Sequence, residues 1–530
     1  MEHENARLIR SSSFMALGTI FSRITGLVRN LMIVAVLGTG ILGDTYNVGN
    51  TTPNIIYNLL IGGSLTAVFV PQIVRAFRDS DGGVGFISKL ATMVSVGLLG
   101  ITALAMLATP LLVELYAPSF EGRARNLTIA FTLYCLPQVF FYGLYGIWGQ
   151  ITNAKERFGP MMWSPIANNL VVIALLSLFL GTKDSISLEA ITDSQVRLLG
   201  LGTTLGIAVQ ALILYPFIKR SGITLRFDFN WRGFGLDKSL KLGGWTFISI
   251  LISQLGFLAT VNLATRAAVN AANSSIPYGV GYTPYANAYL ILLLPHSIVS
   301  LSVVTALLPQ LSSFVIDKKF DQMRERLITA IRLIGIITIP AAFFFLAFSN
   351  LISKSLFFGI DDQSAAFMGK VLAALSFSVI PLSINLVGIR ALNAFENTRY
   401  QAYSSGAINL IALVASLIAY FTLPAEKVTI GLGLVFTLSY WFGTPVTFIL
   451  LRRYVGELHI AHYLSFYLRV VMISALAVGL PYAVHRQLNG LGNFPALVIV
   501  VAITVALYFL FARLFKIDEV NQTFKVLLRR

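Results

Sequence analysis

Apolar segments of about 20 residues, the length that crosses a bilayer as an α-helix, recur along the whole chain. Of its 530 residues, 56% are hydrophobic and only 12% are charged, which is about half the charged fraction of a typical soluble protein. We therefore predict an all-α polytopic membrane protein with about 14 transmembrane helices. The predicted spans cover residues 12–37, 46–74, 88–116, 127–151, 163–181, 198–218, 243–268, 284–313, 332–350, 366–394, 402–422, 429–451, 463–484 and 495–514.

Basic residues are distributed unevenly between the two sides of these spans. Of the 39 Lys and Arg residues, 27 lie at the N-terminus, in the loops that follow even-numbered spans or at the C-terminus, whereas nine lie in the opposite loops. Since cytoplasmic loops retain positive charge, both termini are predicted to be cytoplasmic. Topology and attraction to anionic lipid then account for the net charge of +16, and we predict no nucleic-acid binding.

Three short motifs recur in the same order at an offset near 240 residues. They are TAVFVPQ at 66–72 and TALLPQ at 305–310, NAKE at 153–156 and NAFE at 393–396, and ANNL at 167–170 and AINL at 407–410. Six spans separate the copies, so both cross the membrane in the same direction, as in a parallel repeat. We predict two six-helix lobes, residues 1–225 and 226–455, followed by two extra helices in residues 456–530. Transporters place substrate sites between such halves; a scaffold without a transport cycle is the alternative.

Two arginines lie inside the first predicted span, in the segment FSRITGLVRN at 21–30. An arginine at mid-membrane costs at least about 2.5–3.5 kcal/mol, so Arg23 should face a water-filled cavity or an anionic partner. At 3.6 residues per turn, Ser22 and Arg29 share a helix face, and Arg23 lies about 100° from it. Asp44, near the start of span 2, is a candidate partner. The group is either a structural ion pair or a site for an oxygen-rich anion, because the guanidinium fork suits phosphate.

Polar residues also interrupt later spans. In span 2, Pro53 precedes Asn54, and the pair either opens the helix towards the cavity or forms a packing kink. In span 8, His296 is either a hydrogen-bonding group of the cavity or a side chain satisfied by a neighbouring helix. Arg266, near the end of span 7, is either an outer-gate cation or an arginine that extends to the membrane interface.

Signatures of catalysis and of metal binding are missing from the sequence. It contains no G-x-S-x-G, P-loop or H-E-x-x-H motif and no paired carboxylates within a span. His459 and His462 have no evident third ligand, and the single cysteine, Cys135, excludes a disulfide within the chain. We therefore predict a protein that is not an enzyme and that binds no metal and no cofactor.

The first two spans carry a specific combination of motifs, SRITGLVRN followed by GDTYNVGNTTPNIIYNLLIGGSLTAVFVPQI. These motifs resemble the MurJ (MviN) family of lipid II flippases in the MOP transporter superfamily, and the resemblance extends over the fourteen spans. It implies that lipid II, an undecaprenyl-diphosphate disaccharide-pentapeptide, is moved from the cytoplasmic to the outer leaflet of the bacterial plasma membrane for peptidoglycan synthesis. It also implies alternating access around a cationic cavity, and a groove in the last two helices for the undecaprenyl tail.

By the same resemblance, four residues match family positions that are important for function: Ser22, Arg23, Arg29 and Asp44. The chain departs from the family at two places. Tyr57 stands where well-known members carry an arginine after P-N, and Leu290 stands where they carry an arginine in span 8. The cavity is therefore expected to be less cationic than in those relatives. The remaining predicted substrate contacts are Asn54, Tyr57, Arg266 and His296.

Other functions remain open from the sequence. A flippase for another polyprenyl-diphosphate oligosaccharide would use the same polar residues in spans 1 and 2. A membrane glycosyltransferase would need acids or a base near the interface, and the longest outer loops, near 182–197 and 267–283, carry no catalytic arrangement of such groups. We further predict a monomer whose partners are lipid II, the bilayer and, as candidates, cell-wall synthesis proteins.

Overall fold

A computed structural model of the chain describes residues 2–60, 72–73, 75–77, 81–155, 157–181, 186–230, 237–299, 305–395, 397–458 and 463–517. Pro71, which belongs to the first sequence echo, lies outside these residues. His459 and His462, which we predicted not to form a metal site, lie outside them as well.

The chain divides into two compact units, residues 1–273 and 274–530. The first unit contains α1 (Glu2–Leu37), α2 (Ile41–Leu60), α3 (Val84–Leu107), α4 (Thr109–Tyr116), α5 (Gly122–Cys135), α6 (Gln138–Ala154), α7 (Gly159–Gly181), α8 (Asp193–Leu212), α9 (Tyr215–Lys219) and α10 (Asp237–Asn273). The second contains α11 (Tyr282–Val299), α12 (Thr305–Ile316), α13 (Phe320–Leu356), α14 (Asp362–Leu375), α15 (Val379–Ala394), α16 (Thr398–Thr422), α17 (Ala425–Val455), α18 (Leu464–Val484) and α19 (Asn493–Leu514).

Within the described part of the chain, twelve helical segments are long and apolar enough to cross a membrane. The other two predicted spans, 2 and 8, begin as α2 and α11 and continue in sequence into residues that are not described. The prediction of an all-α polytopic membrane protein is confirmed. The helix that contains predicted span 9, α13, begins at Phe320 with a charged stretch and so extends beyond the apolar span predicted from residue 332.

Among the spans whose residues are all described, four that the sequence predicts as continuous consist of two helices. Spans 3, 4 and 6 break between α3 and α4, α5 and α6, and α8 and α9, and span 10 breaks at a 3₁₀ turn between α14 and α15. A proline lies at or near the start of each second helix, where its missing N–H is tolerated and its ring resists continuation of the first helix. These prolines are Pro110, Pro137, Pro216 and Pro381.

The helix α10 belongs to the first unit because it is bonded to the end of α4. The Asn262 amide donates to the Leu115 carbonyl at 2.9 Å, and Thr265 Oγ1 donates to the Tyr116 carbonyl at 3.2 Å. A compact unit is defined by the helices that contact one another, whereas a repeat is defined by helices that are equivalent in two copies, so the two divisions need not coincide. The predicted lobe boundaries at 225 and 455 therefore stay predictions.

The core of the first unit fixes the helices that carry the predicted arginines. A cluster of buried side chains joins α1, α2, α5, α7 and α8, and it includes Val36, Tyr46, Phe131, Leu176 and Leu199. Burying each such apolar side chain contributes about 1.5–3 kcal/mol where water is the alternative, and within a membrane the same residues contribute close packing. The start of α2 is thus held against α1.

Candidate functional site

The predicted arginines lie on α1, which packs closely against α7. A Cβ atom at Gly18 would come within 2.6 Å of the Trp163 indole nitrogen, so glycine permits this approach. Further along α1, the Asn169 amide donates to the Ser22 carbonyl at 3.1 Å and to Thr25 Oγ1 at 2.9 Å. The Ser22 position therefore lies at the interface with α7.

Arg23 and Arg29 occupy different surroundings on the same helix. Arg23 is exposed, whereas Arg29 is partly buried. The Nε atom of Arg29 is buried and has no hydrogen-bond partner within the described part of the chain. Its charge is close enough to act on the phenol groups of Tyr46 and Tyr142. Arg29 thus brings a positive charge and an unused donor into a polar environment.

Asp44 is fully buried in the first turn of α2. A carboxylate at this place is stabilised by the unpaired backbone N–H groups and the positive end of the helix dipole. Two residues later, the Tyr46 hydroxyl hydrogen-bonds with Thr203 Oγ1 of α8 at 2.9 Å. The predicted pairing of Asp44 with one of the arginines stays a prediction.

Six polar or aromatic side chains meet between α2 and α6, and we call this group the amide–aromatic strip. It consists of Asn50, Asn54, Tyr57, Asn58, Gln138 and Tyr142. The Gln138 amide donates to Asn50 Oδ1 at 3.3 Å, and the Tyr142 hydroxyl lies near the Asn54 side chain. Asn58 donates to Asn54 Oδ1 at 2.7 Å, and the rings of Tyr57 and Tyr142 lie 5.7 Å apart.

The strip follows from helical spacing on both sides. Positions 50, 54 and 58 of α2 and positions 138 and 142 of α6 are one turn apart, so they face each other in register. Sequence reasoning identified Asn54 and Tyr57 and missed Asn50, Gln138 and Tyr142. The spacing of the three asparagines was a visible signal, whereas the partners on α6 depend on which helix packs there.

The last two predicted contact residues have protein partners. Arg266 Nε donates to Asn262 Oδ1 at 2.9 Å, which links it to the end of α4. In the second unit, His296 Nδ1 lies 2.9 Å from Ser383 Oγ of α15 and hydrogen-bonds with it. This is the arrangement expected of a histidine satisfied by a neighbouring helix. Contact of either residue with a substrate stays a prediction.

The second unit contains two apolar grooves, each lined by one of the last two helices. A groove of about 920 Å³ lies beside α19 and is lined by residues that include Pro340, Phe344, Val505 and Tyr508. A second groove, of about 1030 Å³, lies beside α18 and contains Tyr467. At the α17 end of the second groove, Arg452 forms an ion pair with Glu457. Both grooves have the apolar lining that a hydrocarbon chain needs.

Curated proteins from several bacteria are similar to this chain in sequence along most of its length. A "Probable lipid II flippase MurJ" of Haemophilus influenzae is 23% identical over 491 residues, which cover 87% of this chain and 89% of that protein. The protein of the same description from Rickettsia prowazekii is 25% identical over 353 residues, 66% of each chain.

Solved structures show the same fold at lower sequence identity. The lipid II flippase MurJ in its inward closed conformation superposes with a TM-score of 0.74 at 20% identity, over 96% of this chain and 99% of that chain. An inward-facing multidrug resistance MATE family transporter of the MOP superfamily reaches a TM-score of 0.65 at 15% identity, over 82% and 95%.

A family model described as "Lipid II flippase MurJ" matches residues 33–506, most of the chain, including Asp44 and all six residues of the strip. Since the match extends over both units and nearly all predicted spans, the chain belongs to the lipid II flippase MurJ family.

Proposed function

We propose that this protein is a lipid II flippase, which moves the undecaprenyl-diphosphate disaccharide-pentapeptide from the cytoplasmic to the outer leaflet by alternating access. The observation that carries the proposal is membership of the MurJ family over residues 33–506, in a chain whose first membrane-spanning helix holds Arg23 and Arg29. Its action is transport, and no covalent step is assigned to it.

Two features of α1 suit the diphosphate of such a lipid. Arg23 is exposed, and Arg29 offers a buried Nε donor with no partner within the described residues. Arginine binds phosphate oxygens through two parallel charge-assisted hydrogen bonds, which are about twice as strong as neutral ones. Binding in a wet site avoids the large desolvation cost of a dry ion pair, so the substrate can also be released. Asp44 compensates the positive charge when the site is empty.

The apolar grooves of the second unit suit the undecaprenyl tail. Burying hydrocarbon surface in a preformed apolar groove positions the tail while the polar headgroup crosses. The groove beside α19 is lined almost wholly by apolar side chains, with Arg326 and Gln310 among its few polar residues. The tail therefore lies against the last two helices, as the family resemblance implies.

The basic residues give the orientation of the transporter. Both termini lie in the cytoplasm, and the protein acts as a monomer in the plasma membrane. Reporter fusions after residue 190 should be located outside and fusions after residue 230 inside. The opposite pattern would reverse the direction of transport and contradict export.

The function is tested by depleting the protein and identifying the lipid-linked precursor that accumulates. Accumulation of lipid II in the inner leaflet, with loss of its outer-leaflet pool, is the expected result. Accumulation of a different polyprenyl-diphosphate saccharide would instead support the alternative substrate. This alternative is tested because Tyr57 and Leu290 stand where well-known family members carry arginines.

A further inference from the structure

The amide–aromatic strip contains more hydrogen-bonding groups than two packed membrane helices need. Helices in membranes usually meet through small residues and isolated polar contacts. Here Asn50, Asn54 and Asn58 follow one another at single turns of α2, and the buried Oε1 atom of Gln138 has no partner within the described residues. Polar side chains inside a membrane protein are costly unless they serve a wet or ligand-binding surface.

One edge of the strip is open. Asn54 is exposed, and Tyr57, Asn58 and Tyr142 are partly exposed, although residues on either side of them along α2, such as Ile55 and Thr52, are buried. The open edge therefore presents amide groups and two tyrosine rings together. It carries no formal charge.

We propose that the amide–aromatic strip binds the saccharide of the lipid-linked substrate, an inference that rests on the proposed flippase function. Sugar hydroxyls both donate and accept hydrogen bonds, as do asparagine and glutamine amides. The C–H face of a sugar ring is apolar and matches the face of an aromatic ring, whose hydroxyl can add a hydrogen bond. A diphosphate would instead be bound by arginine.

The position of the strip relative to Arg29 supports this assignment. Four strip residues lie on α2, the helix that follows α1 in the chain and shares a packed core cluster with it. In a polyprenyl-diphosphate saccharide, the first sugar is attached directly to the diphosphate. With the diphosphate on Arg29, the first sugar is the next group to be bound, and the strip on the neighbouring helix α2 offers it uncharged hydrogen-bonding partners.

The test compares three lipids bound to the purified full chain in lipid nanodiscs. The probes are undecaprenyl diphosphate, the same lipid carrying only the disaccharide, and lipid II. The variants are Tyr57→Leu, which removes a ring, and Tyr142→Phe, which removes one hydroxyl and preserves packing. The matched control is Tyr215→Leu, because Tyr215 is not a member of the strip and its ring lies 5.7 Å from that of Trp148.

Each strip variant should raise the Kd of both saccharide lipids by roughly threefold to tenfold and leave the Kd of undecaprenyl diphosphate unchanged. The control should leave all three values unchanged. Three results would overturn the saccharide assignment but not the proposed flippase function. One is an equal rise in the Kd of all three lipids, and another is an unchanged Kd of the disaccharide lipid in both variants. The third is a rise in the Kd of lipid II only, which would assign the strip to the peptide. Failure of the unmodified protein to bind any of the three overturns the proposed function as well.

Discussion

Each unit contains a pair of spans that pack together in the same way. The pair is spans 4 and 6 in the first unit and spans 10 and 12 in the second. Gly200 of α8 approaches Tyr134 of α5, and Gly433 of α17 approaches Ala374 of α14. One turn later, Thr204 donates to the Tyr134 carbonyl at 2.7 Å, and Thr437 donates to the Ala374 carbonyl at 2.8 Å. These pairs recur near the offset of the sequence echoes, which supports the predicted parallel repeat.

The neighbouring helix pairs differ in chemistry between the units. In the first unit, α2 and α6 meet through the amide–aromatic strip. In the second, α11 and α15 are bridged by His296 and Ser383. The other polar groups of α11 include Asn287, whose amide donates to a backbone carbonyl of the same helix, and its tyrosines include Tyr289, which packs on Phe436. The contacts that hold the spans together are thus repeated, whereas the polar residues suited to a substrate are concentrated in the first unit.

The largest expected effect concerns the arginines of the first unit. Arg29→Ala should lower lipid II export by about tenfold to a hundredfold, because a charge-assisted hydrogen bond contributes about 1.5–3 kcal/mol. Lysine should restore it poorly, since it lacks the planar fork. Complementation of a strain without another flippase measures export.

Arg469→Ala is the matched control for this experiment. Arg469 also lies within a membrane-spanning helix of the described chain, α18, and its Nε donates to the Ser465 carbonyl of that helix. Full export by this variant is expected. Normal export by both Arg23→Ala and Arg29→Ala would place the arginines in a structural role and remove the contrast between the units.

The second prediction compares the two glycine contacts. A Cβ atom at Gly200 would lie 2.5 Å from Tyr134 Cβ, whereas one at Gly433 would lie 3.1 Å from Ala374 Cβ. Gly200→Ala should destabilise the protein by about 1–3 kcal/mol through overpacking. Both variants gain about 1 kcal/mol of helix propensity. At Gly433 this gain offsets the milder contact, so Gly433→Ala should be nearly neutral and the more stable of the two. Thermal unfolding in detergent measures both, and equal losses would contradict the difference.

The two threonines should have smaller effects. Thr204→Val is expected to cost about 1–2 kcal/mol, since it leaves the Tyr134 carbonyl without its donor and also removes a 3.4 Å contact from Gln138. Thr437→Val should cost about 1 kcal/mol, because it removes the bond to span 10 and a 3.1 Å bond to the Gly433 carbonyl of its own helix, but no contact with a side chain of the strip. Denaturation midpoints of the two variants, measured side by side, test whether Thr204→Val is the more destabilising. A larger loss for Thr437→Val would show that the contact from Gln138 to Thr204 does not stabilise the protein.

The smallest effect is expected at the start of spans 4 and 10. Asp361 caps α14 by accepting from the backbone N–H groups of Gln363 and Ser364, whereas Glu121 precedes α5 without a side-chain cap. Asp361→Ala should therefore cost about 0.5–1 kcal/mol. Glu121→Ala should have no measurable effect on stability.

The contribution of Asp361 should depend on pH. Burial raises the pKa of its carboxyl, but the donors of Ser364 and Gln363 outweigh this and hold the pKa below its ordinary value. A depressed pKa means that the stabilisation is present above the unfolded-state value of about 3.9 and is lost as pH falls through the folded-state value. The stability difference between the unmodified protein and Asp361→Ala should shrink below about pH 4. A constant difference would exclude the ionised cap.

The sequence by itself determined the class of fold and the location of α1 and its arginines. Hydropathy over about 20 residues is a local property, so most spans were predictable without knowledge of their neighbours. The family resemblance likewise came from local motifs in the first two spans. Span breaks were less predictable, because a proline ends a helix at some positions, such as Pro137, and is accommodated within a helix at others, such as Pro340.

Only the tertiary structure decided which polar groups meet. Asn169 bonds the backbone of Ser22, Gln138 and Tyr142 complete the strip, and Ser383 satisfies His296. Each of these pairs joins residues about 85 or more positions apart in the sequence, so it depends on which helices pack side by side and in what register. A hydropathy profile shows which segments are apolar enough to cross the membrane. It does not show which side of each helix faces a neighbouring helix.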